Sequence, residues 1–281
     1  MLKKWKINAC FILFMVLSMT YCCPIGLTEP SKNYDKPAYT QRELNDQSIM
    51  AILWMQTSAE YRALCYQAYN VADLELERAL AIRKSNDKKP MAIIVDCDNT
   101  VLQDGSAQAY YIGTDKKYNS HDWEAWVAQA KAEAVPGAVE FLNKAVNNGV
   151  TVFYIPNRNK ATELEGTLKN LKKEGFPMVD KEHVLLKTDS SNKQKRFDQV
   201  AQRYNVIMFI GDNVEDMPIG AKGKITARRN GIVDENQRLF GTKYIVLPNP
   251  MYGGWESSFV KNYYSLSAEQ KDSVRRARLE R

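Results

Sequence analysis

The 281-residue chain is predicted to be an α/β protein, a three-layer sandwich with a mostly parallel sheet, a small helical cap and N-terminal helices. Apolar, β-branched segments such as MAIIVD (91–96) and VTVFYI (150–155) alternate with segments of helical pattern. This alternation is typical of parallel strands whose crossover helices cover both faces of the sheet. With 44% hydrophobic residues, the chain is long enough to bury a full core in one principal domain, which we place at 43–281.

The N-terminus has the pattern of an export signal. A Lys-rich start and an apolar stretch too short for a membrane span predict a signal peptide over 1–22. A cysteine directly after the apolar stretch suggests bacterial lipoprotein processing at Cys22 or Cys23, although Tyr21 stands where a small residue is expected. We therefore expect an exported, membrane-anchored lipoprotein at the bacterial cell surface or outer membrane; a secreted or periplasmic protein is the alternative.

Charge and cysteine content exclude some classes of partner and site. The formal net charge is +6, and removal of the signal would also remove Lys3, Lys4 and Lys6, which leaves +3. So mild a charge argues against nucleic acid as a partner. The remaining cysteines, Cys65 and Cys97, have no metal-site spacing and are interpreted as small buried hydrophobes.

Helices are expected before the sheet begins. Polar residues over 23–42 suit a tether, and 43–86 form a helical segment in which Tyr61, Leu64 and Ala68 share one helix face. Strands are then expected at 91–96, 150–155, 183–186, 206–211 and 243–248, and helices at about 135–149, 160–174 and 193–204. A cap insertion is expected at about 104–134, and the capping-box pattern SAEQ predicts a C-terminal helix.

Polar side chains follow the predicted strands where each one ends. The first strand ends at Asp96, with Asp98 two residues later, and later strand ends carry Asn157, Arg158, Lys187, Asp212, Glu215 and Asp216. Ligands of doubly wound sheets bind beyond the carboxyl ends of the strands. One acid after a strand is usually just solvated, but this many polar groups at one edge are hard to explain by chance. Clustered carboxylates favour a hard cation, and Mg²⁺ also accepts a substrate phosphate oxygen.

These residue types suit phosphoryl transfer. With Mg²⁺ present, the Asp96 carboxylate could attack phosphorus to give an aspartyl-phosphate. Lys187 and Asn157 would balance charge on the phosphoryl oxygens, and Arg158 would bind substrate beside them. Asp98 could protonate the leaving oxygen and then deprotonate the hydrolytic water.

Four segments resemble the four motifs of the haloacid dehalogenase (HAD) superfamily: DCDNTVL, NR, LLKTDSS and GDNVEDM. Over about 46–260 the chain is more closely similar to the class C acid phosphatases, since QTSAEYRALCYQAYN, AVPGAVEFLN and PNPMYGGWE also match in order. The resemblance implies a HAD-like Rossmannoid fold and a Mg²⁺-dependent acid phosphatase. It also implies that the protein is a bacterial surface lipoprotein that hydrolyses 5′-nucleotides and related phosphomonoesters.

The resemblance also implies roles for individual residues. Asp96 would be the nucleophile and Asp98 the acid/base. Mg²⁺ would be held by Asp96, the Asp98 carbonyl and Asp212, with Asp216 supporting the metal site. Lys187 would be the phosphate-binding lysine.

In the class C acid phosphatases, the resemblance implies, a nucleoside lies between aromatic rings of the cap and of a late loop. By position these rings are Trp123, Tyr252 and Trp255. Because Trp123 shares helical spacing with Trp126, packing within the cap is an open alternative for it. The glycines beside Tyr252 allow a ligand to approach that loop closely.

The chain departs from the family pattern at three positions. Pro156 stands where a Ser or Thr is expected, so a hydroxyl donor and a backbone N–H are both missing. Asn99 stands where a Glu is expected, and Glu215 stands where an Asp is expected. Losing one such donor typically lowers the rate by about 10²- to 10³-fold. The alternative hypothesis is a catalytically impaired surface protein of the same fold that binds nucleotides or acts as an adhesin. The sequence leaves the oligomeric state open, with a homodimer among the alternatives.

Overall fold

The computed structural model describes residues 39–84 and 88–281, so the predicted signal peptide, the lipidation cysteines and most of the tether lie outside the described residues. The centre of the protein is a parallel sheet with strand order β2-β1-β3-β4. The strands are β1 (Met91–Val95), β2 (Thr151–Tyr154), β3 (Asn205–Gly211) and β4 (Tyr244–Val246). The predicted α/β fold class is therefore confirmed.

The unbroken apolar run of β1 is explained by burial on both faces. Ile93 and Val95 belong to one hydrophobic cluster, whereas Ala92 and Ile94 belong to a second cluster on the other side. Successive strand residues point to opposite faces, so a strand covered on both sides needs apolar residues at every position. β1 lies between β2 and β3, and its C-terminal end is therefore at the centre of the sheet edge.

Helices cover the sheet and form the cap. They are α1 (Gln41–Asp46), α2 (Ile49–Thr57), α3 (Ala59–Ile82), α4 (Gly105–Ala109), α5 (Ser120–Gln129), α6 (Ala138–Asn147), α7 (Lys160–Lys173), α8 (Gln194–Arg203), α9 (Thr226–Glu235), α10 (Gly254–Ser257) and α11 (Ala268–Ala277). Two end signals act as expected. Gly149 follows α6 in the left-handed region at φ +75°, and the Ser267 side chain caps α11 through the Gln270 N–H.

The prediction of a strand at 183–186 is wrong. This segment forms only a bridge, in which Tyr154 N–H donates to the His183 carbonyl and Leu185 N–H donates to the Tyr154 carbonyl. Both hydrogen bonds involve the last residue of β2, and the next pairing is the separate bridge between Asn159 and Lys187, so no ladder builds up. The segment nevertheless runs beside the carboxyl end of β2.

The N-terminal helices pack on the main domain. The Tyr69 hydroxyl on α3 donates to the Thr100 carbonyl at 2.6 Å, just beyond the end of β1. Cys65 and Cys97 are both buried and free, as expected of small core residues. None of the helices within 39–84 and 88–281 is long and apolar enough to cross a membrane.

Candidate active site

Three of the predicted metal-binding carboxylates come together at the carboxyl edge of the sheet. Asp96 follows β1, while Asp212 and Asp216 follow its neighbour β3, and one oxygen from each lies within 4.8 Å of the other two. The pairing of the strands fixes this approach, because Asp96 N–H donates to the Ile210 carbonyl at 2.9 Å. Asp96 and Asp216 are buried, and Asp212 is partly exposed.

The lysine that reaches these carboxylates is Lys193, which precedes α8. Its ammonium contacts Asp96 Oδ1 and lies 2.6 Å from Asp216 Oδ1, and the residue is only 4% exposed. Lys187 instead pairs through its backbone with the 158–160 segment, and within the described residues its side chain makes no hydrogen bond or ion pair. The lysine that contacts the carboxylates is therefore Lys193 and not Lys187, which the sequence analysis named as the phosphate-binding lysine.

The charge of the cluster fits a divalent cation. Three carboxylates and one ammonium leave a formal charge of −2 in a buried space. Burial, followed by repulsion from Asp216 and Asp98, raises the pKa of Asp96 to about 7 despite the neighbouring Lys193. Burial and the other two carboxylates also raise the pKa of Asp212 well above its usual value. Oxygen donors at this density favour a hard cation such as Mg²⁺.

Asp216 is held in place by its surroundings. A Cβ atom at position 211 would lie 2.3 Å from Asp216 Cβ, so only glycine leaves room for this carboxylate at the end of β3. Asn213 N–H donates to Asp216 Oδ2 at 3.0 Å. Glu215 points away from the cluster and pairs with the buried Arg229 at 2.8 Å.

Asp98 contacts Arg158 through its side chain. Arg158 Nη2 lies 2.8 Å from Asp98 Oδ1, and Nε lies 3.2 Å from both carboxylate oxygens. Arg158 is 1% exposed and also donates to Thr167 at 3.0 Å. Arg158, which the sequence analysis named as a substrate-binding residue, is thus the partner of Asp98 in this structure.

Asn157 lies exposed just after β2. Its Oδ1 accepts a hydrogen bond from Arg196 Nη2 at 2.8 Å. Arg196, on α8, also donates to the carbonyls of Pro156 and Leu185, which are both beside the end of β2. Pro156 itself is buried and offers only its carbonyl.

Tyr252 contributes its hydroxyl to a buried polar network. The hydroxyl donates to Asp104 and accepts from Asn99 Nδ2 at 3.1 Å. Asn99 adopts φ +54°, a left-handed conformation that Asn tolerates better than most residues, and its Oδ1 accepts from Asp104 N–H. Burial, followed by the charge of Asp98, raises the pKa of Asp104 to about 6. The late loop is thus tied to the segment after β1.

The two tryptophans predicted to contact a nucleoside have different partners. Trp123 stacks on Trp126 at 5.0 Å, and its Nε1 donates to Glu163 on α7 at 3.1 Å. Trp255 is 42% exposed, and its Nε1 donates to the Tyr252 carbonyl. Within the described residues no ring contact joins Trp123 to Tyr252 or Trp255. Trp123 also lines a cap cavity of about 400 Å³ with Trp126, Tyr110, Tyr111 and Tyr118.

Sequence reasoning missed Lys193, Arg196 and Asp104. A signal existed for the first two: Lys193, Arg196, Phe197 and Val200 have helical spacing, and the two apolar residues face the sheet. The basic residues of that face therefore reach the carboxyl edge. Asp104 carried no comparable signal, because its partner Tyr252 is 148 residues away in the chain.

Comparisons with known proteins give a consistent result. Residues 14–255 match the family model of the HAD superfamily, subfamily IIIB (Acid phosphatase). The fold is similar to the class C acid phosphatase of Bacillus anthracis, with a TM-score of 0.80 and 40% identity, over 85% of this chain and 98% of that one. The same similarity holds for that enzyme with tungstate bound.

More distant matches come from soybean, Glycine max. A stem 28 kDa glycoprotein is 26% identical over 146 residues, which is 49% of this chain and 50% of the relative. A stem 31 kDa glycoprotein is 28% identical over 118 residues, 39% of this chain and 40% of the relative. The chain thus spans half the length or less of these two curated relatives.

Proposed function

Because this chain belongs to the acid phosphatases of HAD superfamily subfamily IIIB, we propose that it hydrolyses phosphomonoesters with the help of a divalent cation, Mg²⁺. The observation that carries the proposal is the buried Asp96 carboxylate, held by Lys193 beside Asp212 and Asp216. A carboxylate in this setting is ready to attack an electrophile, and the ammonium beside it can neutralise an incoming anion. Asp96, Asp212 and Asp216 would hold the cation.

The first step forms a bond between a carboxylate oxygen of Asp96 and phosphorus, and breaks the bond between phosphorus and the ester oxygen. Lys193 stabilises negative charge that develops on the phosphoryl oxygens, while its contact with Asp216 fixes the ammonium. Mg²⁺, when bound, screens the carboxylates from the anionic substrate and acts as a Lewis acid toward the phosphoryl group. The product of this step is an aspartyl-phosphate at Asp96.

Asp98 acts as the general acid and base. Its carboxyl group gives a proton to the leaving ester oxygen and, as a carboxylate, then takes one from the water that attacks the aspartyl-phosphate. This second step breaks the bond between phosphorus and the Asp96 oxygen, which releases inorganic phosphate and regenerates Asp96. The forked contact with Arg158 holds Asp98 in one orientation.

Nucleoside 5′-monophosphates are the proposed substrates. The cap cavity is lined by the aromatic residues Tyr110, Tyr111, Tyr118, Trp123 and Trp126, and its volume of about 400 Å³ lies in the range of small-molecule sites. Aromatic faces bind flat bases by stacking. The tungstate bound to the B. anthracis enzyme is a tetrahedral oxyanion like phosphate, which supports an anion site in that enzyme and, by similarity, here.

Pro156 favours a second candidate function, a nucleotide-binding surface protein with weak or no catalysis. The residue has no hydroxyl and no N–H, and its carbonyl is already paired with Arg196. We expect phosphate release from a 5′-nucleotide by the wild type with Mg²⁺, no release with a chelator, and faster release by Pro156→Thr. Nucleotide binding without release at any pH from about 4 to 8, with activity only in Pro156→Thr, would overturn the proposed enzyme.

Export and lipid anchoring are proposed for the N-terminus, which lies outside the described residues. Mass spectrometry of the protein isolated from its own membranes tests this proposal. We expect a mature chain that begins at Cys22 or Cys23 and carries acyl chains. A chain that is cleaved elsewhere and carries no lipid would instead indicate a secreted protein.

A further inference from the structure

We infer that Arg196 is a positioning residue that turns the amide nitrogen of Asn157 toward the phosphate site, where it supplies a donor in place of the one that Pro156 lacks. The inference rests on the proposed function, since it assigns a role at the same site. Its geometric basis is the bond of 2.8 Å from Arg196 Nη2 to Asn157 Oδ1.

The chemistry of the two side chains fixes the orientation of the amide. A guanidinium has only donors, so it must face the oxygen of Asn157 and never the nitrogen. The NH₂ group of Asn157 therefore points away from Arg196. In the part of the chain that the structure describes, no atom accepts a hydrogen bond from this nitrogen, and the residue is exposed just beyond β2. Two N–H donors thus remain available to a ligand.

The position of Arg196 is set by the same helix face that carries Lys193. The two residues are three apart, so they lie on one side of the α8 end, where Lys193 contacts Asp96 and Asp216. Arg196 feels the negative charge of Asp96 and Asp216 as well, although burial is the larger effect and lowers the pKa of the guanidinium. Arg196 is therefore close to the carboxylate cluster while its hydrogen bonds point to the end of β2.

Arg196 also immobilises the loop that carries Asn157. Its Nη1 donates to the carbonyl of Pro156 and, at 3.1 Å, to that of Leu185. One guanidinium thus joins the segment that follows β2 to the neighbouring 183–186 segment. A Ser or Thr at 156 would add its own donor; with Pro156, a donor at this strand end depends on the amide of Asn157, which only Arg196 orients.

A double-mutant cycle tests the inference by direct anion binding. Binding of tungstate and of inorganic phosphate to the full-length protein with Mg²⁺ is measured by calorimetry for wild type, Asn157→Ala, Arg196→Ala and the double variant. A donor to a charged group is worth about 1.5–3 kcal/mol, so each single variant should bind about 10- to 100-fold more weakly. The double variant should bind the anion no more weakly than whichever single variant binds it more weakly, because both substitutions remove the same donor.

Three further variants separate orientation from charge and folding. Asn157→Asp keeps an acceptor for Arg196 but has no N–H, so it should bind the anion as weakly as Asn157→Ala. Lys195→Ala removes a positive charge from an exposed position of the same helix and should bind like the wild type. Low, non-denaturing concentrations of guanidinium should restore part of the binding to Arg196→Ala but none to Asn157→Ala.

The inference is overturned if Asn157→Ala or Asn157→Asp binds the anion like the wild type. It is overturned equally if the fold-loss of affinity in the double variant is the product of the fold-losses in the two single variants. It is also overturned if the wild type binds neither anion, since no donor then serves such a site. A wild type that binds tungstate with the expected cycle but releases no phosphate from any ester would contradict the proposed function and leave the positioning role of Arg196 in place.

Discussion

Replacing Lys193 by Ala is predicted to have two separable effects, one on stability and one on rate. The ammonium is 4% exposed and contacts two carboxylates. Removing one partner of a buried ion pair typically costs about 3–5 kcal/mol, because the remaining charge is left unpaired. For a domain of this size, a loss of that magnitude lowers the melting temperature by about 6–20 °C.

The rate effect comes from the phosphoryl group. Losing one charged donor at such a site costs about 10²- to 10³-fold in kcat. A divalent cation also neutralises the carboxylates that Lys193→Ala leaves unpaired. Mg²⁺ should therefore recover part of the lost melting temperature but none of the lost rate. The assays are calorimetric melting and phosphate release, each with Mg²⁺ and with a chelator.

Lys187→Ala is the matched control, since it also removes a lysine at this sheet edge. Its side chain makes no hydrogen bond or ion pair with the described residues, so we expect a change in melting temperature within about 2 °C and in kcat of less than about 3-fold. The reasoning is refuted if Lys187→Ala loses the rate while Lys193→Ala keeps it.

Three further predictions concern the same region. Tyr252→Phe removes the hydroxyl that donates to the buried Asp104, so urea unfolding should show a loss of about 1–3 kcal/mol. Gly211→Ala places a Cβ 2.3 Å from Asp216 Cβ, so calorimetry should show Mg²⁺ binding at least ~10-fold weaker. Mg²⁺ at about 100 times its dissociation constant should stabilise the wild type by about 2.7 kcal/mol, and Asp216→Asn should abolish most of this gain.

The first two of these predictions have a control variant. Tyr264→Phe loses a long hydrogen bond of 3.4 Å to the Gly253 carbonyl and one with the Ser257 side chain, both at an exposed residue, and should unfold within about 0.5 kcal/mol of the wild type. Gly231→Ala lies on α9 with space for a methyl group and should bind Mg²⁺ normally. Unchanged Mg²⁺ affinity in Gly211→Ala, or equal losses in a variant and its control, would contradict the geometry described here.

Local patterns of the chain were sufficient to predict the four strands of the sheet, although they also predicted a fifth strand at 183–186 that forms only a bridge. β1 must be apolar at every position because both of its faces are covered, and this produces the run that precedes Asp96. The helix ends at Gly149 and Ser267 follow from backbone geometry and capping that act within a few residues. The meeting of Asp96 with Asp212 and Asp216 was also predictable, because the carboxyl ends of parallel strands lie at one edge.

The partners of charged side chains were less predictable. Lys187 and Lys193 are six residues apart, and the difference between them depends on where α8 begins, which local pattern locates only to within a few residues. Arg158 follows Asn157, but the two side chains have different partners at the end of β2: buried Arg158 contacts Asp98, and exposed Asn157 contacts Arg196. Such choices depend on contacts between residues far apart in the chain.

The most direct test of the central claim is to trap the phosphoryl group on Asp96. Wild type and Asp96→Asn are mixed with a 5′-nucleotide and Mg²⁺, quenched in acid during turnover, reduced with borohydride and mapped by mass spectrometry. Borohydride converts an aspartyl-phosphate to homoserine, so we predict homoserine at position 96 in the wild type, together with phosphate release that Asp96→Asn abolishes. Steady phosphate release from Asp96→Asn, or homoserine at another aspartate, would contradict the account.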